Sequence, residues 1–324
     1  MSWILDFLGE LLGLLLFILL IAALVAPFEA LGWWSGWKKR PAKAPAGKPD
    51  HSATVSAPPD IGEDTAFIVF FTGILGFERG TAGGRESRLI NLVTEQLPAG
   101  AVIIDDVFPY SVSNNPLNGE RLLGGVWRWV DRRRRQSKNI VNIFNGLIVV
   151  RNLFQVAVSA DRRYGPLNNA GVARELSLSL VRHGYPAGSG KPIYLVCYSG
   201  GGQISVGAAP YLHKIFQAPI RIISAGGVFT DDPGIEDVDQ LTHLQGSKDI
   251  ITPVGALLFP GRWPLLPHSA WNQAKRAGRI TVIPCGPMVH FGKHDYFSRH
   301  ATFPDGQTYA GRVAELTAAA ITES

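Results

Sequence analysis

Charge and cysteine are both scarce in this sequence of 324 residues. Only 18% of the residues are charged, against about 25% in an average globular protein, while 46% are hydrophobic. A long disordered chain is excluded, because disorder requires few apolar residues and much charge. The two cysteines, Cys197 and Cys285, are too few for a small domain held together by disulfide bonds. The length permits two domains or one large α/β domain.

Positive charge is concentrated in one segment of the chain. Residues 117–164 contain ten basic and three acidic residues, although the whole chain has a net charge of +5. The segment includes four consecutive arginines, Arg132, Arg133, Arg134 and Arg135. A solvated helix surface and a contact with anionic lipid headgroups are both open interpretations. No motif indicates nucleic-acid binding, so we expect none.

One long uncharged run lies near the amino terminus. Residues 11–28 carry no charge over 18 positions, close to the length of helix that crosses a bilayer. Three tryptophans and then Lys38, Lys39 and Arg40 follow, typical of a membrane interface and a cytoplasmic flank. We therefore expect an uncleaved single-pass transmembrane helix within residues 1–37, with the bilayer as a partner and the folded domain on its cytoplasmic side.

The remaining chain divides by composition. Residues 38–60 are rich in Pro, Ala and Lys without an apolar period, which is typical of an extended linker. Residues 61–324 are expected to form the folded domain, with a basic helical insertion at about 110–165. Within it, residues 140–158 predict a helix with a polar stripe (Asn142, Asn145, Asn152 and Gln155) and a wide apolar face. That face is interpreted as core packing, as a cap over a substrate pocket or as a surface that contacts a membrane.

Short apolar runs alternate with amphipathic stretches along residues 61–324. The runs predicted as buried strands are Ala66–Thr72, Ala101–Val107, Pro192–Tyr198, Ile220–Ser224, Gln240–Gln245 and Ile280–Pro284. The predicted helices include Ser87–Leu97, Ile204–Phe216 and Tyr309–Ile321. This alternation indicates an α/β fold with a parallel sheet of about six strands and helices on both faces.

The third predicted strand runs directly into Ser199, and three glycines and a predicted helix follow. The sequence there reads Cys197-Tyr198-Ser199-Gly200-Gly201. A serine at a sharp strand-to-helix turn exposes its hydroxyl at the sheet edge, and small neighbours let the helix pass close to the strand. The helix amino terminus also presents N–H groups where negative charge develops in acyl transfer. The pattern makes Ser199 a candidate nucleophile.

These residues resemble the nucleophile elbow of the α/β-hydrolase superfamily, with Cys197 in place of the first glycine of G-x-S-x-G. The resemblance covers about residues 61–324 and implies a minimal version of the fold. It implies a catalytic triad in the chain order Ser, acid, His. It also implies an oxyanion hole formed by the backbone N–H groups of Gly200 and Ile74.

The resemblance assigns the other two members of the triad as well. The acid is expected at Asp249, in the Gly-x-x-Asp-x-x-x-Pro turn that follows the fifth predicted strand, with Asp231 and Asp232 as the other candidates. The histidine is expected at His294, because aromatic residues follow it closely, and His290 is the alternative. The spacing of the two histidines does not match a zinc motif, so no metal is expected.

The resemblance thus implies a membrane-anchored serine hydrolase that cleaves an ester or a thioester, without a cofactor. The expected substrate is a small-molecule or lipid ester. The alternatives are a non-catalytic protein of the same fold that binds a partner at the membrane, and an acyltransferase that uses the same triad.

Overall fold

The structure of the chain is a computed structural model. It describes residues 65–71, 73, 85–107, 129–130, 132–133 and 143–323, together with six isolated positions between 13 and 25. The described strands are β1 (Phe67–Phe71), β2 (Val102–Ile104), β3 (Ile193–Tyr198), β4 (Ile220–Ala225), β5 (Gln240–Gly246) and β6 (Ile280–Gly286). The described helices are α1 (Arg85–Thr94), α2 (Ile143–Ala160), α3 (Gly165–Arg182), α4 (Gly201–Phe216), α5 (Thr252–Leu258), α6 (Ala270–Arg276) and α7 (Tyr309–Thr322).

The six strands form one sheet in the order β2-β1-β3-β4-β5-β6, and every neighbouring pair is parallel. The predicted α/β fold with a six-stranded parallel sheet is therefore confirmed. The chain moves outward from β1 to β2 and then crosses to the other side of β1 to form β3. At such a switch point the adjacent loops leave the sheet in opposite directions, which opens a crevice at the carboxyl ends of the strands.

Alternate residues of each central strand build two separate hydrophobic cores. In β3, Ile193, Leu195 and Cys197 lie in the core on one face of the sheet, and Tyr194, Val196 and Tyr198 lie in the core on the other. The first core is completed by apolar side chains from α3, α4 and α6, and the second by side chains from α1 and α7. Both faces are therefore covered, which explains why the strands read as continuous apolar runs.

The predicted element boundaries differ from the structure by a few residues. The second strand is shorter than predicted, Val102–Ile104 rather than Ala101–Val107, and the first is Phe67–Phe71. The last three strands each extend beyond the predicted end, to Ala225, Gly246 and Gly286. Helix α4 begins at Gly201 instead of Ile204, because the glycines after Ser199 adopt helical geometry.

Helix α2 buries part of its predicted polar stripe together with part of its apolar face. Asn152 and Gln155, from the stripe, are buried, as are Leu147 and Val158, whereas Leu153 and Phe154 are exposed. The helix packs on α3, where Ser159 Oγ donates a hydrogen bond of 2.6 Å to Asn169 Oδ1. Most of the basic segment lies outside the described residues, and Arg132 and Arg133 are exposed.

The predicted transmembrane helix requires correction. Among the described residues, no helix combines the length and the apolar character needed to cross a bilayer, which overturns the predicted amino-terminal span and the single-pass membrane localisation. An apolar run shows only that a span would be compatible with the composition, whereas crossing also requires an unbroken apolar helix of about 20 residues. Most of residues 1–37, and all of the predicted linker at 38–60, lie outside the described residues.

Candidate active site

Ser199 lies at a strained turn between β3 and α4. Its φ angle is 53°, and it is one of two non-glycine residues in the described part of the chain with a positive φ. The turn leaves no space for side chains on either side: a Cβ on Gly202 would lie 2.7 Å from Phe229 Cε1, and one on Gly73 would lie 2.7 Å from Tyr198 Cδ1. Such strain persists at functional sites because the surrounding packing holds it.

Backbone hydrogen bonds hold this turn in place. The Ser199 carbonyl oxygen accepts from the N–H of Gly202 at 3.1 Å and from the N–H of Val228 at 3.0 Å. Cys197, which stands where the resemblance expects a glycine, is buried in the core, and its Sγ lies 3.6 Å from the Ile223 carbonyl oxygen. The departure from the motif is therefore accommodated, because this position points into the core and away from the turn.

Three side chains from distant parts of the chain meet at this turn. Ser199 Oγ lies 2.8 Å from His290 Nε2, and His290 Nδ1 lies 2.8 Å from Asp249 Oδ2. All three residues are at most 5% exposed. They follow β3, β5 and β6, and the carboxyl ends of parallel strands meet at the same edge of the sheet. The structure thus brings together Ser199, Asp249 and His290 in the arrangement of a nucleophile, an acid and a base.

The acid is held by donors on both of its oxygens. Asp249 Oδ1 accepts from the N–H groups of Ile251 at 2.8 Å and Thr252 at 3.2 Å, and Oδ2 accepts from the Tyr296 hydroxyl at 2.7 Å. Burial acts to raise the pKa of Asp249, but the hydrogen bonds from His290, Tyr296 and Ile251 outweigh it and hold the pKa below its usual value. The group is therefore a carboxylate at neutral pH.

The charge on Asp249 fixes the tautomer of His290. A carboxylate can only accept hydrogen bonds, so the proton of the neutral imidazole is on Nδ1. Nε2 is then free to accept the hydroxyl proton of Ser199. This is the protonation state in which a histidine acts as a general base toward a serine.

The imidazole of His290 also packs against Tyr198. The Tyr198 ring stacks on it, with the two centroids 5.2 Å apart and an interplanar angle of 24°. The Tyr198 hydroxyl donates a short hydrogen bond to the His290 carbonyl oxygen. Tyr198 immediately precedes Ser199, so the residue that ends β3 connects the nucleophile to the base.

The prediction that His294 completes the triad is wrong. Its side chain is exposed, and within the described residues no hydrogen bond joins its ring to Ser199 or Asp249. Gly292 has a φ of 107° and turns the chain back, so that the His294 carbonyl oxygen accepts from the Val289 N–H at 3.1 Å. His290, the alternative, occupies the position next to Ser199.

The aromatic residues that favoured His294 have other roles in the structure. Tyr296 contacts the acid, and Phe297 packs edge to face on Tyr198 with the centroids 4.7 Å apart. Asp295, which precedes Tyr296 in the chain, forms a close ion pair with Arg85, the first residue of α1. No local pattern in the sequence indicates the contacts of Tyr198 or Arg85, and only the aromatic spacing after the histidines points to Tyr296.

Of the two candidate oxyanion donors, only Gly200 lies within the part of the chain that the structure describes. The backbone N–H of Gly200, at the start of α4, has no hydrogen-bond acceptor among the described residues. It is therefore available to a negatively charged oxygen on a group bonded to Ser199. The other candidate, Ile74, lies outside the described residues.

The remaining polar and open features lie apart from the triad. Both cysteines are buried and free, and burial raises the pKa of each thiol to about 12, so neither is a ready nucleophile. Asp232 accepts hydrogen bonds from Gly234 N–H and Gln203 Nε2, and has no contact with a histidine among the described residues. A cavity of about 960 Å³ lies between α3, α4 and residues 260–270, and Ser199, Asp249 and His290 are not among its lining residues.

Comparison with known proteins finds no significant match. No protein-family model matches the chain, and neither a curated protein nor a solved structure is significantly similar to it.

Proposed function

We propose that this chain is a serine hydrolase of the α/β-hydrolase type, which cleaves a carboxylic ester or thioester through an acyl-enzyme. The observation that carries the proposal is the pair of 2.8 Å contacts that connect Ser199 Oγ, His290 and Asp249. The strand order, the strained serine and the positions of the acid and the base after β5 and β6 resemble that superfamily.

The reaction follows from these contacts. Ser199 Oγ attacks the substrate carbonyl carbon while its proton passes to His290 Nε2, and Asp249 stabilises the imidazolium that forms. The Gly200 N–H donates to the oxyanion of the tetrahedral intermediate. The intermediate collapses when the leaving group takes the proton from Nε2, which leaves an acyl group on Ser199. A water molecule then attacks the acyl-enzyme by the reverse sequence of proton transfers, and the carboxylic acid is released.

The same contacts favour an enzyme over a non-catalytic binding protein. A serine that serves only packing has no need of a positive φ, whose cost is of order 1–3 kcal/mol. It also has no need of a buried imidazole aligned with its hydroxyl. A lipid substrate is favoured by two features, the apolar helix at residues 140–158 and the predicted amino-terminal span. Because the span is not supported among the described residues, the proposal extends to esters and thioesters in general.

Hydrolysis of short p-nitrophenyl esters and thioesters by the full chain tests the proposal. We expect measurable turnover by the wild type and a loss of about 10⁴-fold or more in kcat for Ser199→Ala, because the nucleophile is removed. The matched control is Ser177→Ala, which removes a hydroxyl that donates to the Ala173 carbonyl oxygen on α3. Wild-type turnover that survives in Ser199→Ala would contradict the proposed function.

A further inference from the structure

The Tyr296 hydroxyl lies between a backbone donor and the acid. It accepts from the Gly246 N–H at 2.9 Å and donates to Asp249 Oδ2 at 2.7 Å. A hydroxyl has a single proton, and the N–H of Gly246 occupies one of its lone pairs, so the proton is directed at the carboxylate. Gly246 is positioned by an irregularity in the pairing of β5 and β6. The orientation of the hydroxyl is therefore set by the sheet.

Asp249 Oδ2 is the oxygen that also contacts the base. Among the described residues, His290 and Tyr296 are the two whose side chains donate to the Asp249 carboxylate. The other oxygen accepts from the backbone N–H groups of Ile251 and Thr252. Backbone donors do not change with the side chain, so Tyr296 is the position where a substitution can alter the charge that Asp249 presents to His290.

The Tyr296 ring is held by contacts that do not need its hydroxyl. The side chain is fully buried, and a Cβ on Gly226 would lie 2.7 Å from Tyr296 Cε2. The Tyr198 ring packs edge to face on it with the centroids 5.9 Å apart. A phenylalanine at position 296 therefore preserves the packing and removes only the two hydrogen bonds of the hydroxyl.

We propose that Tyr296 is a positioning residue, which shares Asp249 Oδ2 with His290 and thereby sets the pH at which the Asp249–His290 pair takes up a proton. The inference rests on the proposed function for its catalytic meaning. The hydrogen bond from Tyr296 stabilises the negative charge of the carboxylate. It therefore lowers the affinity of Asp249 for a proton, and it also weakens the stabilisation that Asp249 gives to a protonated His290. Without the donor, the pair binds a proton at higher pH.

Three other titratable groups that interact with the acid do not change charge near neutral pH. His243 on β5 has a pKa lowered to about 4, first by burial and also by a nearby arginine. Burial raises the pKa of Cys285 on β6 to about 12, and it raises the pKa of Tyr198 well above its usual value. Glu86 on α1 does titrate in this range, because burial raises its pKa to about 7, and it interacts with Tyr198. The acid limb between pH 5 and 8 therefore reports the Asp249–His290 pair together with Glu86, and an NMR titration of His290 itself distinguishes the two.

The test compares Tyr296→Phe with the wild type in the pH profile of kcat/KM for a p-nitrophenyl ester. We expect the acid limb to move to higher pH by about half a unit to one unit, because a hydrogen bond to a charged group is lost. A profile that falls equally at all pH values, with its midpoint unchanged, would overturn the proposal. It would show that the hydroxyl serves stability alone.

Tyr194→Phe is the matched control. Tyr194 is also a buried tyrosine, and its hydroxyl donates to the Ile321 carbonyl oxygen at 3.1 Å and accepts from Arg221 at 2.9 Å, away from the triad. The Tyr194→Phe variant therefore loses the same kind of hydroxyl, and the acid limb of its pH profile is expected to coincide with that of the wild type. An equal shift in both variants would assign the effect to general destabilisation and contradict the proposed role.

A histidine NMR titration separates this inference from the proposed function. The Nδ1 proton of His290, assigned by its absence in His290→Ala, is followed against pH in ¹⁵N-histidine-labelled full-length protein. We expect its midpoint to rise in Tyr296→Phe and not in Tyr194→Phe, even if no ester is cleaved. An inactive wild type with this shift would refute the hydrolase and retain the positioning role. An unchanged midpoint in Tyr296→Phe would refute the positioning role.

Discussion

Replacing His290 by alanine is expected to lower kcat/KM for an activated ester by about 10⁴-fold or more, whereas His294→Ala is expected to stay within about threefold of the wild type. The difference follows from position: His290 Nε2 lies 2.8 Å from Ser199 Oγ, and the His294 side chain is exposed. Steady-state kinetics of the two variants side by side measure it, and the two histidines serve as each other's control.

The outcome also distinguishes the two interpretations of the sequence. A large loss in His294→Ala with a nearly active His290→Ala would contradict the structural assignment. The Tyr198 ring stacks on His290 and its hydroxyl bonds the His290 carbonyl oxygen, so unfolding should be measured in parallel. A loss of activity without a comparable loss of folded protein is the predicted result.

Asp249→Asn is expected to lower kcat by about 10³–10⁴-fold while the protein remains folded. Both carboxylate oxygens accept from donors, His290 Nδ1 and the Tyr296 hydroxyl on one and backbone N–H groups on the other. An amide at this position must place its NH₂ group against one of these pairs of donors. When the NH₂ group faces His290, the clash between two donors is removed if the proton of the imidazole moves from Nδ1 to Nε2. Nε2 then carries a proton and can no longer act as a base toward Ser199.

The matched control for this variant is Asp232→Asn. Asp232 was one of the other candidate acids, and it also accepts two hydrogen bonds, from the Gly234 N–H and Gln203 Nε2. We expect its kcat to remain within a few-fold of the wild type. Equal losses in Asp249→Asn and Asp232→Asn would show that the assignment of the acid is wrong.

The sheet and the positions of Ser199 and Asp249 at its edge were predictable because they depend on local patterns. Six buried runs alternate with helical stretches, and a parallel sheet covered on both faces is the arrangement that buries such runs. Ser199 and Asp249 each follow a predicted strand in a short turn of recognisable composition. In a parallel sheet, all such turns lie at one edge, so adjacency in space follows from the order of the strands.

The choice of histidine was not predictable in the same way. His290 and His294 both follow β6, and the decision is made by the positive φ of Gly292 and by contacts with Tyr198 from another strand. The aromatic residues after His294 gave a real signal, but Tyr296 contacts the acid and does not orient that histidine. Long-range contacts of this kind leave no local pattern to read.

The burial of part of the polar stripe of α2 has a similar origin. Periodicity identifies a polar stripe but not what lies opposite it, and here the stripe residues Asn152 and Gln155 are buried. The predicted amino-terminal span fails on a different ground, since no helix among the described residues is long and apolar enough to cross a bilayer.

Covalent labelling by a fluorophosphonate probe tests most directly whether Ser199 is an activated nucleophile. The probe is incubated with the full-length protein at neutral pH, and peptide mass spectrometry locates and counts the adducts. We expect one adduct per chain, on Ser199, which is absent in Ser199→Ala and formed at the wild-type rate in Ser177→Ala. A folded wild-type protein that acquires no adduct, or acquires it elsewhere while Ser199 stays unmodified, would show that Ser199 is not an activated nucleophile.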